Sequence, residues 1–138
     1  MKILKIGSDL DGVILLWLFF IKKNTREVLA KLKAEGHTIK IVTARGNFLT
    51  LFQAKLMLKI YGLGYLEVVG VGKNGQKYSE LEGFDIFIDN KVSHLLAIDG
   101  RVKNLYIFSK KSKNDFCNLE TWWKVYWEVE WIAQEEEQ

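Results

Sequence analysis

Two aspartates two residues apart, Asp9 and Asp11, close an apolar run and stand directly before a glycine, in Ile6-Gly7-Ser8-Asp9-Leu10-Asp11-Gly12-Val13-Ile14. Ile3, Leu4 and Ile6 read as a short buried strand, and Gly12 lets the chain turn sharply after it. Residues i and i+2 of a strand share a face. Both carboxylates are therefore expected to emerge together at the strand's carboxyl end, where open α/β sheets bind ligands. Carboxylates this close repel, and one would keep a proton near neutral pH unless a cation sat between them. A hard divalent ion such as Mg²⁺ resolves that repulsion. The plain alternative is a pair of exposed aspartates in a turn, and the motif alone does not separate the two.

Three further polar clusters follow apolar runs. Thr43, Ala44 and Arg45 end the run Thr38–Val42; Lys73 and Lys77 bracket a glycine-bearing basic loop after Leu66–Val71; Asp89 and Asn90 end the run Asp85–Ile88. In a parallel α/β sheet the carboxyl ends of all strands lie along one edge, so clusters spread over eighty residues can converge. Together they offer an oxygen nucleophile, a second carboxylate for proton transfer, a hydroxyl and a cation for phosphate oxygens, and a third carboxylate for a metal. That inventory suits phosphoryl transfer, where charge neutralisation and positioning carry most of the catalysis.

The elements that must position these groups alternate. Asn24 or Thr25 can cap a helix that runs to Gly36, with Val28, Leu29 and Leu32 inward. Asn47 opens a second helix, Phe48 to about Tyr61. Leu81 lies on a short helical or irregular link, Val92–Ile98 is a short helix, and Leu105–Phe108 is a fifth strand. An aromatic helix, roughly Leu119–Gln134, and a polar tail finish the chain. Strands and helices alternating at this spacing predict a three-layer, Rossmann-like α/β fold with a parallel sheet of about five strands.

At 138 residues the chain is expected to form one domain, 1–138, with the acidic tail 135–138 frayed. Mean hydropathy of −0.02 fits an ordinary soluble globule. A formal charge of +3 is too mild to argue for a nucleic-acid binder, though it would not repel an anionic substrate. One cysteine, Cys117, excludes an internal disulfide and fits a reducing cytoplasm. Nothing resembles a signal peptide. The nine-residue apolar run Val13–Ile21 is about half the length that crosses a bilayer, so no membrane association is expected.

The order hhhDxDGV, hhhT, Lys and DhhhD resembles the haloacid dehalogenase superfamily of phosphotransferases over nearly the whole chain. Within it, Ile41-Val42-Thr43-Ala44-Arg45-Gly46 and Phe84-Asp85-Ile86-Phe87-Ile88-Asp89-Asn90 are most similar to the 5'(3')-deoxyribonucleotidase-like group. Asn114 or Asn118 beside the Trp-rich segment Thr121–Tyr126 is also similar to that group's ending. The resemblance implies that Asp9 attacks phosphorus to give an aspartyl-phosphate. It implies that Asp11 protonates the leaving alcohol and then activates water, and that Mg²⁺ is held by Asp9, the Asp11 carbonyl and Asp89. Thr43 would bond the transferring group, a lysine would neutralise it, and Ala44, Arg45 and Lys73 would add phosphate contacts. Lys77, twelve residues before Asp89, is favoured as that lysine, with Lys73 as the substitute.

Two details depart from the pattern. An amide, Asn90, replaces the second carboxylate common after Asp89, and it could still hold a metal-bound water. Asp85 lies about 13 Å from Asp89 along an extended strand and reads as structural, unless a looped backbone restores it as a ligand. Arg45 suits either a substrate contact or a surface pair. His37 and His94 read as surface or core residues rather than ligands, and Cys117 as inert.

Only about a dozen residues separate Gly12 from the next helix, too few for a folded cap, and the helix and strand after Thr43 leave no room for one. An open site follows, and a second copy of the chain is a candidate cover for the apolar segment 13–21. Trp123, Trp127 and Trp131 share one helix face and Trp122 and Tyr126 an adjacent one, so part of this aromatic band is a second candidate surface for self-association. The overall expectation is a Mg²⁺-dependent phosphomonoesterase acting on a nucleotide or another small phosphate ester. The alternatives are a polynucleotide 3'-phosphatase, with nucleic acid not favoured as a partner, and a non-catalytic interaction protein on the same fold.

Overall fold

The computed structural model describes residues 2–17, 20–72, 77–109 and 116–135. Its spine is a parallel sheet built by apolar β-rich runs: β1 (Lys5–Ser8), β4 (Thr38–Thr43), β5 (Glu67–Gly70), β6 (Ile86–Asp89), β7 (Asn104–Ile107) and β8 (Cys117–Asn118). The order across the sheet is β5-β4-β1-β6-β7-β8. An antiparallel hairpin of β2 (Leu15–Trp17) and β3 (Phe20–Ile21) is inserted after β1.

Among the described residues the helices are α1 (Thr25–Ala34), α2 (Phe48–Ile60), α3 (Tyr78–Leu81), α4 (Val92–Ile98) and, after the last strand, α5 (Trp122–Glu135). Their buried faces fall into two separate cores. Val28, Leu29 and Leu32 of α1, Ala54 and Leu58 of α2, and Trp122, Val125 and Val129 of α5 pack on one side of the sheet. Leu81, Leu95 and Ile98 of α3 and α4 pack on the other. The three expected layers are therefore present, with six strands rather than about five.

The additional strands have a physical reason for escaping the sequence. β8 is two residues long and exists only because Leu119 N–H and Tyr106–Ile107 supply partners across the sheet. Helix boundaries follow their capping chemistry. Asn47 accepts from Leu49 N–H (2.8 Å) and starts α2 as expected. At α1 neither Asn24 nor Thr25 caps through its side chain: Asn24 is left-handed (φ 63°) without a capping bond, and Thr25 donates backwards to Lys22 O (2.6 Å).

The hairpin fills the segment between β1 and α1. Val13, Ile14 and Leu15 are fully buried in the first core. Trp122 Nε1 donates to Val13 O (2.9 Å), tying α5 to this turn. The first part of the apolar run thus satisfies itself inside the chain, which removes much of the reason for a second copy to cover 13–21. Leu16 and Phe20 stay exposed, and residues 18–19 lie outside the described residues. No helix among the described residues is long and apolar enough to cross a membrane.

Candidate active site

The register of β1 against β6 decides the site. Ser8 pairs with Ile88, and Asp9 N–H donates to Ile88 O (2.8 Å). Asp9 and Asp89, each the next residue, therefore stand side by side at the carboxyl ends of neighbouring strands. β4 flanks β1 on the other side with Ile41 opposite Ser8, which brings Thr43 to the same edge. Asp9, Thr43 and Asp89 are all buried, the last completely.

Lys77 reaches this edge from the residue that opens α3. Its ammonium donates to Asp9 Oδ1 (3.0 Å) and Asp89 Oδ2 (2.9 Å), itself only 6 % exposed. With its amide nitrogen turned toward the carboxylates, Asn90 donates to Asp89 Oδ1 (3.1 Å) and Asp9 Oδ2 (3.2 Å). Lys91 N–H adds a bond to Asp89 Oδ1 (3.0 Å). Burial, and next the charge of Asp89, push the Asp9 carboxyl up to about 7, against the opposing pull of Lys77. The two carboxylates are more crowded than one ammonium fully offsets.

His94, on the first turn of α4, lies with Nδ1 2.9 Å from Asp89 Oδ2. In the Nδ1–H tautomer the imidazole donates to that carboxylate, and in the other tautomer Nδ1 accepts from the Lys77 ammonium at 3.2 Å. Sequence reasoning placed His94 among surface or core residues. The available signal was its position: the helix starts immediately after Asp89-Asn90, so its first turn folds back over the carboxylate.

Asp11 does not join Asp9 in a shared carboxylate pair, contrary to the expectation from their spacing. Its side chain is about half exposed and is clasped by Arg45, which donates from Nε (2.9 Å) and Nη2 (2.7 Å), while Arg45 Nη1 donates to Thr50 O (3.0 Å). The chain turns within one residue of the strand, with Ile14 and Leu15 N–H both bonding Leu10 O, and this swings Asp11 to the rim. Gly12 makes that turn affordable: its φ is +84°, and a Cβ there would strike the Asn90 side chain. Thr43 Oγ1 accepts from Arg45 N–H (3.2 Å), and Ala44 is half-buried in the same loop. Asp85 sits at the far end of β6, accepting from Lys5 N–H (2.8 Å). Lys73 and Asn114 lie outside the described residues.

The donor set fits a divalent cation. Oxygens of Asp9 and Asp89 and a nitrogen of His94 lie within 4.8 Å of one another. Two buried carboxylates, one already pushed toward protonation, would gain from a second positive charge. A second cluster, Glu35, His37 and Glu130, lies near the opposite edge. There Leu4 N–H donates to His37 Nδ1 (3.0 Å), so a neutral imidazole carries its proton on Nε2 and offers no lone pair to an ion.

This topology is a three-layer α/β fold shared with solved phosphatase structures. Among solved structures, the chain is similar to D,D-heptose 1,7-bisphosphate phosphatase from B. bronchiseptica complexed with magnesium and phosphate. The TM-score is 0.71 at 12% identity, over 95% of this chain and 100% of that one. The Burkholderia thailandensis D,D-heptose 1,7-bisphosphate phosphatase gives 0.68 at 12% identity, over 91% and 97%. The core domain of a Streptococcus pneumoniae TIGR4 protein assigned as a phosphoglycolate phosphatase gives 0.64 at 18% identity, over 94% and 97%. No family model and no curated protein sequence matches the chain.

Proposed function

We propose that this protein is a Mg²⁺-dependent phosphomonoesterase that works through a phosphorylated Asp9. The observation that carries this reading is the buried array Asp9–Lys77–Asp89, with contacts of 3.0 and 2.9 Å, at the carboxyl ends of two adjacent strands. Such an array has little structural benefit, because burying two carboxylates costs several kcal/mol each before pairing, on the order of what the pair returns.

In this reading an Asp9 carboxylate oxygen attacks phosphorus and the alcohol leaves with a proton from Asp11. Water, activated by the same Asp11, then hydrolyses the acyl phosphate. Lys77 holds Asp9 in the attacking orientation and offsets charge on the transferring oxygens, while Thr43 hydrogen-bonds them. Bound Mg²⁺ would be held by Asp9, Asp89, the Asp11 carbonyl and His94 or Asn90, and it would supply charge neutralisation that one ammonium does not. Arg45 holds Asp11 at the rim and stands where an incoming phosphate dianion would compete for its guanidinium. The site has no overlying domain among the described residues, which suits either a nucleotide or another small phosphate ester. The nucleotide part of that range rests on the resemblance of the Thr43–Gly46 and Phe84–Asn90 segments.

The test is hydrolysis of a generic aryl phosphate with and without Mg²⁺. Asp9→Asn should abolish turnover while leaving the fold intact, since asparagine keeps the shape and the Leu10-side backbone contacts. Sustained turnover by that variant removes the nucleophile. The absence of Mg²⁺-dependent activity from the wild type, across a broad phosphate-ester panel, would favour the interaction-protein alternative.

A further inference from the structure

Two helices on the same side of the sheet leave apolar ridges uncovered. α2 is apolar nearly all round, yet only Ala54 and Leu58 are fully buried. Its outer face exposes Phe48 (78%), Phe52 (57%), Leu56 (46%) and Ile60 (66%) at steps of four residues, with Phe48 and Phe52 stacked at 6.3 Å. On α5, Trp123 (37%), Trp127 (66%) and Trp131 (60%) form a second four-step ridge. Tyr126, itself buried, fixes Trp123 and Trp127 by edge-on contacts at 5.8 and 5.2 Å. We infer that a second copy of this chain covers these faces, the α5 ridge of one copy seating on the α2 ridge of the next.

Charge selects this pairing over the symmetric ones. The α2 segment 48–60 carries Lys55 and Lys59 and no acid, a charge of +2. Beside the α5 ridge, Glu120 and Glu135 are exposed with Lys124, a charge of −1, while Glu128 and Glu130 turn inward toward Tyr106 and Glu35. An α2–α2 contact gathers four lysines, an α5–α5 contact gathers the glutamates, and only the crossed contact joins opposite signs. Shape agrees, because ridges at four-residue spacing interdigitate when both helices present them, crossing at about −50°. Tryptophans pre-ordered on a helix are also efficient anchors, since little side-chain freedom is lost on docking.

Area sets the strength. At about 150–250 Å² per large aromatic side chain, the exposed parts of both ridges amount to roughly 1,000 Å² in total, the lower bound for a specific interface. The association is therefore weak and concentration-dependent. Because the two faces differ, each joined pair keeps one face of each kind free, so assembly continues head to tail until a ring closes.

Sedimentation velocity from about 10 to 500 µM, the range of weak interfaces, reads this directly. The wild type is expected to gain mass with concentration, and less so as salt rises. Phe52→Glu and Trp127→Glu should each be monomeric alone. An equimolar mixture of the two should form a dimer and stop there, because one intact pair of faces remains. Phe48→Glu and Trp131→Glu, at similarly exposed positions, replace either variant if its unfolding midpoint falls. A monomeric wild type at the top concentration overturns the proposal. So does a self-associating Trp127→Glu, which would mean α2 pairs with α2, a self-associating Phe52→Glu, or a mixture that stays monomeric.

Discussion

Replacing Lys77 by methionine keeps the length of the side chain and removes the charge between Asp9 and Asp89. The lysine is 6 % exposed and bonds both carboxylates, at 3.0 and 2.9 Å. Losing one partner of a buried ion pair costs about 3–5 kcal/mol, because the remaining charge stays buried and uncompensated. In a domain of this size that is a fall of roughly 10–15 °C in Tm. The cost should depend on pH in a definite direction. The Asp9 carboxyl is held at about 7 in the folded protein, against an ordinary value of 3.8. The native state therefore binds an extra proton between those values, and stability falls as pH rises from about 4 to about 7. Without Lys77 the upward push is larger, so Asp9 keeps its proton toward pH 8 and the deficit there exceeds that at pH 5.5 by up to about 1.4 kcal/mol, the worth of one pKa unit. Thermal unfolding in EDTA at both pH values measures this, and millimolar Mg²⁺ at pH 8 should recover part of the loss. A deficit of the same size at both pH values, or one below about 1 kcal/mol at pH 8, would refute the assignment of Lys77 as the counter-charge.

His94→Leu should lower apparent Mg²⁺ affinity or turnover by about 10–100-fold, the usual effect of losing a partner to a metal-binding carboxylate; a Mg²⁺ titration of aryl phosphate hydrolysis with unchanged half-saturation and rate would exclude that role. A proton on Glu130 would bridge it to Glu35, whose carboxylate lies within 4.8 Å in the cluster with His37. The Glu130 carboxyl is raised to about 7 by that hydrogen bond and by burial, while Glu35 is held low, despite burial, by bonds from Glu130 and Tyr126. The stabilisation from this shared proton is complete below about pH 4.5 and lost as pH climbs to about 7. Glu130→Gln should therefore flatten the decline in unfolding midpoint between pH 5 and 8, and an unaltered slope would count against the shared proton.

The central strands were legible because each is an apolar run ended by the residue it delivers: Asp9 on β1, Thr43 on β4, Asp89 on β6. Parallel order alone then brings distant residues to one edge. The placement of Lys77 beside Asp89 was also legible, from its distance in sequence and the short helical link before β6. What stayed hidden depends on side-chain direction. The two-residue spacing of Asp9 and Asp11 predicts a shared face only while the strand continues, and here it ends at Ser8. His94 and the Arg45–Asp11 clasp are tertiary contacts that no local pattern encodes. The split of the α5 aromatics, with Trp122 and Tyr126 inward and Trp123, Trp127 and Trp131 outward, follows helical periodicity as expected. The exposed face of α2 does not, because a helix that is apolar all round carries no signal of which side is covered.

The bond from Trp122 Nε1 to Val13 O gives the final helix a part in chemistry that happens at the other end of the chain. Val13 sits two residues beyond Asp11, and Phe108, packed against the Trp122 indole at 5.7 Å, follows β7 beside Asp89. Any engineered shortening that strips residues after Thr121 would unfasten the turn that aims Asp11. Because Trp122, Val125 and Val129 also fill the first core, such a deletion series loses fold and rate together, and Trp122→Phe, which removes the indole N–H and keeps most of its bulk, isolates the effect on rate.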